Sequence, residues 1–381
     1  MNKSRDFEIR FLSFQELKAK WMEFEESSIG TPYQSYNWLN SWMEHVGSKQ
    51  DVVPLLVEGH IKGKTVFILP LMLQQYFGLT VCKWLGGKEQ NINTGLFDQE
   101  FISQNSGFIQ NVFDEITKYN SNISIFYLDK LPSCLSGVKN PMLALYKPRE
   151  HSNKLFTNIM GDDYKLWECS QRSRYSRSRM NRQWNKIVVN YGELSVEPIR
   201  DKHQIRNILN IFLKQRDEGL KTRKVPNPFS DNNIISFLQT AAENNENSTN
   251  GLQIHTLNSN GIIHAVHLGF FENSQYSGFA NSFNLDSEKF SPGNLLQREI
   301  LKIAHEYGIR KIDFGLGDTP YKYSWTNPVT LYDIVLPVKP AGFVAKILIL
   351  NFLYIKLTLK KIFKTKLFSL ISRLAYKYLN R

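Results

Sequence analysis

The chain is short of cysteine, and the three it has, Cys82, Cys134 and Cys169, lie far apart. They show no paired spacing with one another or with histidine, which argues against a disulfide framework and a structural zinc site and predicts no metal. A signal core is missing as well: Met1 to Glu8 pass straight into an alternating strand pattern, which predicts a chain made and kept in the cytoplasm. Acidic residues are absent from Ala341 to Arg381, where nine Lys or Arg carry three quarters of the net charge of +12. The apolar residues of that tail are interrupted by Lys346 and Lys356, too often for the roughly 20-residue run that spans a bilayer. Alternation of Ile362, Phe363, Leu367, Leu370 and Leu374 with Lys360, Lys361, Lys364, Lys366 and Arg373 predicts instead a basic amphipathic helix on an anionic membrane surface. A terminal helix packed on the body or on a partner is the competing reading. So many large aliphatics are ill-suited to phosphate contacts, so DNA is not expected.

What is present is enough for two ordinary domains: 381 residues, 42% of them hydrophobic. A strand at Phe7–Leu12, a helix capped by Ser13 with Glu16 at the capping-box position, and an aromatic-rich helix over Tyr36–His45 open the chain. A hairpin (Val53–Glu58, Thr65–Gln74), a helix (Phe108–Lys118) and a buried strand (Ile123–Asp129) follow. The same order returns later: strand Leu194–Pro198, helices from Asp201 and Ile234, a polar turn through Asn244–Asn250, strands at Leu252–Leu257, Ile262–Phe271 and Tyr276–Phe283, a helix from Ser291 and a strand at Lys311–Phe314, with Tyr332–Val338 closing the sheet. This repetition predicts an α/β (α+β) chain of two similar domains, 1–150 and 151–340, with a cleft between them and a tail at 341–381.

The segment from Ser291 to Trp325 carries the chemistry. Ser291-Pro-Gly-Asn-Leu places Pro292 in a first helical turn and leaves the amides of Gly293, Asn294 and Leu295 for an anion. The strand after it delivers Gly315, Gly317, Asp318, Tyr321 and Lys322 into a loop at its C-terminal end, where ligands sit in open α/β sheets. Asp318 is the predicted acidic group, in the role of a base, with Lys322 stabilising charge and Tyr321 beside it. Turn chemistry is the competing account of Asp318. His264 and His267 alternate across one strand, so without a bulge they do not share a site; one faces the cleft or each is a satisfied packing histidine. Arg172, Arg174, Arg177, Arg179, Arg182 and Lys186 form a basic helix whose arginine forks suit donor or acceptor phosphates; a solvated face and a tRNA contact are the alternatives. Gly86, Gly87, Asn91, Asn93, Thr94 and Asp98 make a polar loop cluster able to meet a hydroxyl-rich acceptor across the cleft, and ordinary turn chemistry accounts for the same residues equally well.

Thr31-Pro-Tyr-Gln-Ser-Tyr-Asn-Trp with Trp42, the hairpin ending Phe67-Ile-Leu-Pro-Leu, Trp84-Leu-Gly-Gly before Asn93-Thr-Gly, the basic helix from Gln171 to Lys186 and the Ser291–Trp325 block, in this order, resemble the bacterial acetyltransferases of the cellulose-biosynthesis CelD type within the GNAT superfamily. More distantly they resemble the FemABX aminoacyltransferases. The resemblance implies two tandem GNAT-like domains, each a mixed, mostly antiparallel sheet flanked by helices. It further implies acyl transfer from acyl-CoA, such as acetyl-CoA, to an amine or hydroxyl of a sugar or cell-surface polysaccharide precursor. Ser291, Gly293, Asn294 and Leu295 would then hold the donor, and Arg172, Arg179, His264 and His267 the substrate. The FemABX likeness implies an aminoacyl-tRNA donor as the alternative, and a non-enzymatic partner of a polysaccharide synthase is a third.

Overall fold

The computed structural model describes residues 7–355 except 106, 222–226, 245–250 and 273–274, together with residue 358. The predicted tail helix beyond residue 358 and most of the predicted turn at 244–250 lie outside the described residues. The first run of elements is β1 (Glu8–Leu12), α1 (Phe14–Ser27), α2 (Tyr36–His45), β2 (Val53–Ile61), β3 (Lys64–Tyr76), β4 (Leu79–Trp84), β5 (Leu96–Phe97), α3 (Gln99–Gln104), α4 (Phe108–Tyr119) and β6 (Ile123–Pro132). A ribbon of β7 (Cys134–Leu135) and β8 (Val138–Lys139) leads to β9 (Arg149–Ile159), α5 (Tyr164–Gln171) and α6 (Arg174–Tyr191). The second run is β10 (Ser195–Ile199), α7 (Lys202–Lys221), α8 (Asn232–Glu243), β11 (Gly251–Ser259), β12 (Ile262–Glu272), β13 (Gln275–Phe283), α9 (Pro292–Glu306) and β14 (Lys311–Leu316). Then come β15 (Pro328–Pro337) and a helix over residues 340–355.

Local chemistry sets the starts of these elements. The Ser13 hydroxyl accepts from the Glu16 N–H at 3.3 Å, while the Ser13 N–H donates to the Glu16 carboxylate at 2.8 Å, so two donors at the start of the first helix are satisfied. Asp98, Asp163 and Asp231 cap α3, α5 and α8 in the same manner.

Both runs contribute to one large sheet, ordered β1-β2-β3-β4-β6-β15-β9-β14-β13-β12-β11-β10. Its neighbours pair antiparallel except β4 with β6 and β13 with β14, which stand at equivalent places in the two runs. The last strand, β15, inserts between β6 of the first run and β9. Helices α2 and α8 seal the junction on one face, where Trp38 meets Phe237 at 4.4 Å and Phe270 at 4.9 Å. This is the purpose of the aromatic-rich helix: its rings fill the seam and fix the two runs relative to each other. Among the described residues no helix is long and apolar enough to cross a membrane.

The inserted strand is also tied by buried hydrogen bonds. The buried Asp333 carboxylate accepts from the His151 Nδ1–H at 2.8 Å and from the Lys130 N–H at 3.0 Å. Asp333→Ala would leave two buried donors unpaired, a loss of about 1–3 kcal/mol for each. We expect a drop of roughly 2–5 kcal/mol in unfolding free energy, read from urea denaturation.

Candidate active site

The sheet parts at one place in the second run. Strands β13 and β14 pair from Gln275 and Lys311 only as far as Ser277 and Asp313. Beyond that point β13 bulges at Phe279, since Leu268 faces Ala280 while Gly269 faces Gly278. Strand β14 turns away at Gly315, whose φ of +73° is left-handed and whose N–H donates to the Asp313 carboxylate at 2.6 Å. A Cβ at Gly315 would stand 2.7 Å from Asn91 Nδ2 and 2.9 Å from the Gly278 carbonyl. Glycine is therefore required twice, for the backbone angle and for the approach of Asn91 from the first run. Asn91 Nδ2 in turn donates to the Tyr33 hydroxyl at 2.7 Å and reaches the Gly278 carbonyl at 3.4 Å, bridging the two runs across the gap.

A cavity of about 490 Å³ fills this wedge, lined by Gly278–Asn281, Phe314–Leu316, His267, Gln297, Tyr321 and Lys322, and on the facing side by Lys88, Glu89 and Asn91. Lys322 Nζ donates to the Gly315 and Leu316 carbonyls at 3.1 and 2.7 Å. Burial lowers its ammonium to about 8, against the pull of Asp313. Asp313 itself is fully buried behind the cavity wall, and desolvation raises its carboxyl to about 6 against the Gly315 N–H and Lys322. The Tyr321 phenol, pushed up to about 12 by burial, is a proton carrier at neutral pH. His267, pushed down to about 3 by burial, is neutral, and its Nε2 lies 2.5 Å from the Tyr276 hydroxyl, which also accepts from Gln297 at 3.2 Å.

The first run contributes an acid. Glu89 ends a tight turn over Gly87–Glu89, where its carboxylate accepts from the Trp42 indole N–H at 3.0 Å. Desolvation raises its pKa, opposed by Trp42 and by Lys88. Glu89, Lys88 and Leu316 also line a second cavity of about 550 Å³, so the two cavities adjoin. The second cavity occupies the equivalent wedge of the first run, where β4 and β6 part beyond Lys83 and Tyr127. Its walls include Gln74, Trp84, Tyr127, Asp129, His151 and Asn153, with Phe352 and Leu353 of the terminal helix. The Nε2 of His151 is buried with no partner among the described residues, while its Nδ1 is held by Asp333.

Helix α9 follows β13 after a 3-10 turn over Leu285–Phe290. Asn294 and Leu295 donate back to the Ser291 carbonyl at 3.0 and 3.3 Å, which occupies two of the three amides the sequence nominates for an anion. Gly293 keeps an open flank: a Cβ there would meet only the Phe283 ring, at 3.7 Å. Ser291 adopts a left-handed φ of +55°, and its hydroxyl accepts from Gln183 of α6 at 3.2 Å. The basic helix therefore lies against this start, with Arg179 and Lys186 about one turn either side of Gln183, and both side chains are exposed.

The predicted residues separate into those the structure gathers and those it does not. Lys322, Tyr321 and His267 line the first cavity. Asp318 does not; its carboxylate accepts from the exposed Tyr323 hydroxyl at 2.7 Å, and the acid interacting with Lys322 is Asp313. A β-bulge does fall at His264, yet it does not unite the two histidines: His264 Nε2 meets Ser259 at 2.8 Å and its ring packs on Tyr191. Arg172 braces the Lys322 loop, donating to Ser324 at 2.9 Å and lying 4.6 Å over the Trp325 ring. Of the polar loop cluster, Asn91 reaches the first cavity, Gly87 the second, and Asn93 binds Asp129 at 2.8 Å. Asp313 and Glu89 escape the sequence reading. An acid inside an otherwise buried strand was the signal for the first, and the charged pair Lys88–Glu89 directly after a Gly-Gly loop edge for the second. Among the described residues no group of three His, Cys, Asp or Glu is placed to hold a metal ion.

Residues 174–323 match the family model of the acetyltransferase (GNAT) domain. No curated protein matches the chain. Among solved structures, that of FemX superposes with a TM-score of 0.62 at 12% identity, covering 86% of this chain and 97% of that one. A conserved protein of unknown function from Bacteroides thetaiotaomicron does so with 0.54 at 12%, covering 87% and 100%. The C-terminal domain of a putative lysylphosphatidylglycerol synthetase from Agrobacterium fabrum does so with 0.53 at 10%, covering 88% and 95%. At such identities the likeness is one of fold. The wedge, the α9 start and Lys322 all fall within the matched segment, so this chain carries an acetyltransferase domain of the GNAT superfamily over residues 174–323.

Proposed function

We propose that the protein is an acyltransferase that moves an acetyl or related acyl group from acyl-CoA to a hydroxyl or amine of a sugar, in the assembly of a cell-surface polysaccharide. The observation that carries this reading is the pair of adjoining cavities: the β13–β14 wedge with Lys322 and Tyr321, and the second cavity beyond Glu89. The wedge fits the donor. Parted strands free backbone groups for the amides of a pantetheine arm, and the open Gly293 flank beside basic α6 suits its phosphates. The second cavity fits the acceptor, because Asp129, Gln74 and Asn153 are partners for hydroxyls while Trp84 and Tyr127 offer ring faces.

Each side chain then has a step. Glu89, at the shared wall, takes the proton from the acceptor hydroxyl or amine as its oxygen or nitrogen attacks the thioester carbon. The Lys322 ammonium stabilises the negative charge developing on the carbonyl oxygen. The carbon–sulfur bond breaks, and the neutral Tyr321 phenol supplies a proton to the departing thiolate; the proton on Glu89 restores the balance. Asp313 does not line the cavity and acts as a positioning residue, holding the Gly315 turn and the charge of Lys322.

The FemABX resemblance of the sequence carries an aminoacyl-tRNA-dependent transfer as the second reading, with which the fold shared with FemX is compatible, and one experiment separates the two. Calorimetric titration of the full chain with acetyl-CoA is expected to give saturable binding that weakens at least about tenfold in Gly293→Val, whose side chain fills the open flank. The absence of heat from both acetyl-CoA and CoA, with binding of an aminoacyl-tRNA, would replace the CoA reading by the second. The terminal helix must be retained, because it forms part of the second cavity.

A further inference from the structure

The helix over residues 340–355 is apolar on two sides. Its inner side, Ala345, Ile349 and Leu350, packs against Val81, Ile125 and Val335, and Gly342 lies so close to the Ser124 carbonyl that a side chain has no room there. The helix is thus fixed to the sheet. Its outer side is a stripe of Phe343, Val344, Ile347, Leu348, Phe352 and Ile355, each more than half exposed. An amphipathic helix of a globular domain turns polar residues outward; a second apolar side needs an apolar medium.

A separate element makes the same demand. Phe77 sits at the tip of the β3–β4 hairpin with a left-handed φ of +50°, a turn position that favours Asn or Gly, and its ring is fully exposed. A bulky residue breaks the local rule here without any packing in return. Its neighbour Tyr76 lines the same cavity as Phe352 and Leu353, so the hairpin tip and the end of the helix come together from opposite ends of the chain.

Basic residues stand beside this helix and follow it in the sequence. Lys346 donates to the Tyr146 hydroxyl at 3.0 Å, Lys147 beside it is exposed, and from Lys356 to Arg381 the sequence has eight Lys or Arg and no acid. Two copies of such a face would repel, whereas an anionic surface would complement it. We propose that the outer stripe of this helix and Phe77 dock on an anionic lipid bilayer at the boundary of headgroups and acyl chains. The inference is independent of the acyl-transfer reading, since it uses neither cavity chemistry nor the second-run wedge.

Flotation of the full chain with vesicles tests it, using phosphatidylcholine alone and phosphatidylcholine mixed with an equal part of phosphatidylglycerol. The chain is expected to float with the anionic vesicles, less at high salt, and poorly with the neutral ones. Val344→Glu/Leu348→Glu, two exposed positions one turn apart, should weaken binding at least about tenfold with an unchanged melting temperature, and Phe77→Ser should weaken it in the same direction. Equal flotation with both vesicle types, or no loss in either variant, overturns the proposal. So does a vesicle-free dimer, seen by light scattering, that the double variant dissociates, because the stripe would then be a self-interface.

Discussion

Glu89→Gln is expected to lower kcat by roughly 10²–10⁴-fold with donor affinity kept, because a positioned base contributes on that scale and the amide retains the size and the Trp42 hydrogen bond. The pH profile gives the sharper readout. Desolvation holds the Glu89 carboxyl above its ordinary range, so turnover should fall on the acid side as it protonates and ceases to act as a base. On the alkaline side turnover should fall through about pH 8, where Lys322 loses the charge that steadies the oxyanion. Glu89→Gln should abolish the acid limb and Lys322→Met the alkaline one. An acid limb near pH 6 that persists in Glu89→Gln would belong to Asp313 instead, and would reassign the base.

Gly315→Val should be the most damaging single change near the site. A β-branched residue at φ +73° is strained by about 1–2 kcal/mol, and its side chain must displace Asn91 or the Gly278 backbone, adding about 1–3 kcal/mol. A stability loss of roughly 2–5 kcal/mol is expected by urea denaturation, with loss of acetyl-CoA binding by calorimetry. Asn91→Ala removes one of the atoms in the way and should recover part of the stability in the double variant. Full donor binding by Gly315→Val would show that the parting of β13 and β14 is not what admits the donor.

The elements read best from the sequence are those whose signals are local. Tyr36–His45 is helical over the same residues in sequence and structure, and the Ser13–Glu16 capping box forms. Strand β9 begins Arg-Glu-His-Ser-Asn-Lys and has no alternating apolar pattern; it is a strand because β14 and β15 pair with it on both sides, a tertiary cause. Strand β4 was hidden by its setting: Leu79–Trp84 follows the Phe77–Gly78 turn at once, and Trp84 reads as a loop edge. The site divides along the same line. Lys322 and Tyr321 were legible as polar residues at a strand end, whereas the pairing of Glu89 with the wedge depends on two runs of the chain meeting across the Trp38 seam. Asp318 illustrates the converse: it follows the signal, yet its carboxylate is engaged by Tyr323 while Asp313 serves Lys322 from behind the wall.

Free-thiol release from acetyl-CoA, measured across amino and hydroxy sugars, tests the central claim most directly. Sugar-dependent release is predicted, with one acetylated sugar formed per thiol and strong reduction in both Glu89→Gln and Lys322→Met. Acetyl-CoA left intact with every sugar, or consumed equally by the wild-type chain and both variants, would contradict the assignment of these cavities to acyl transfer.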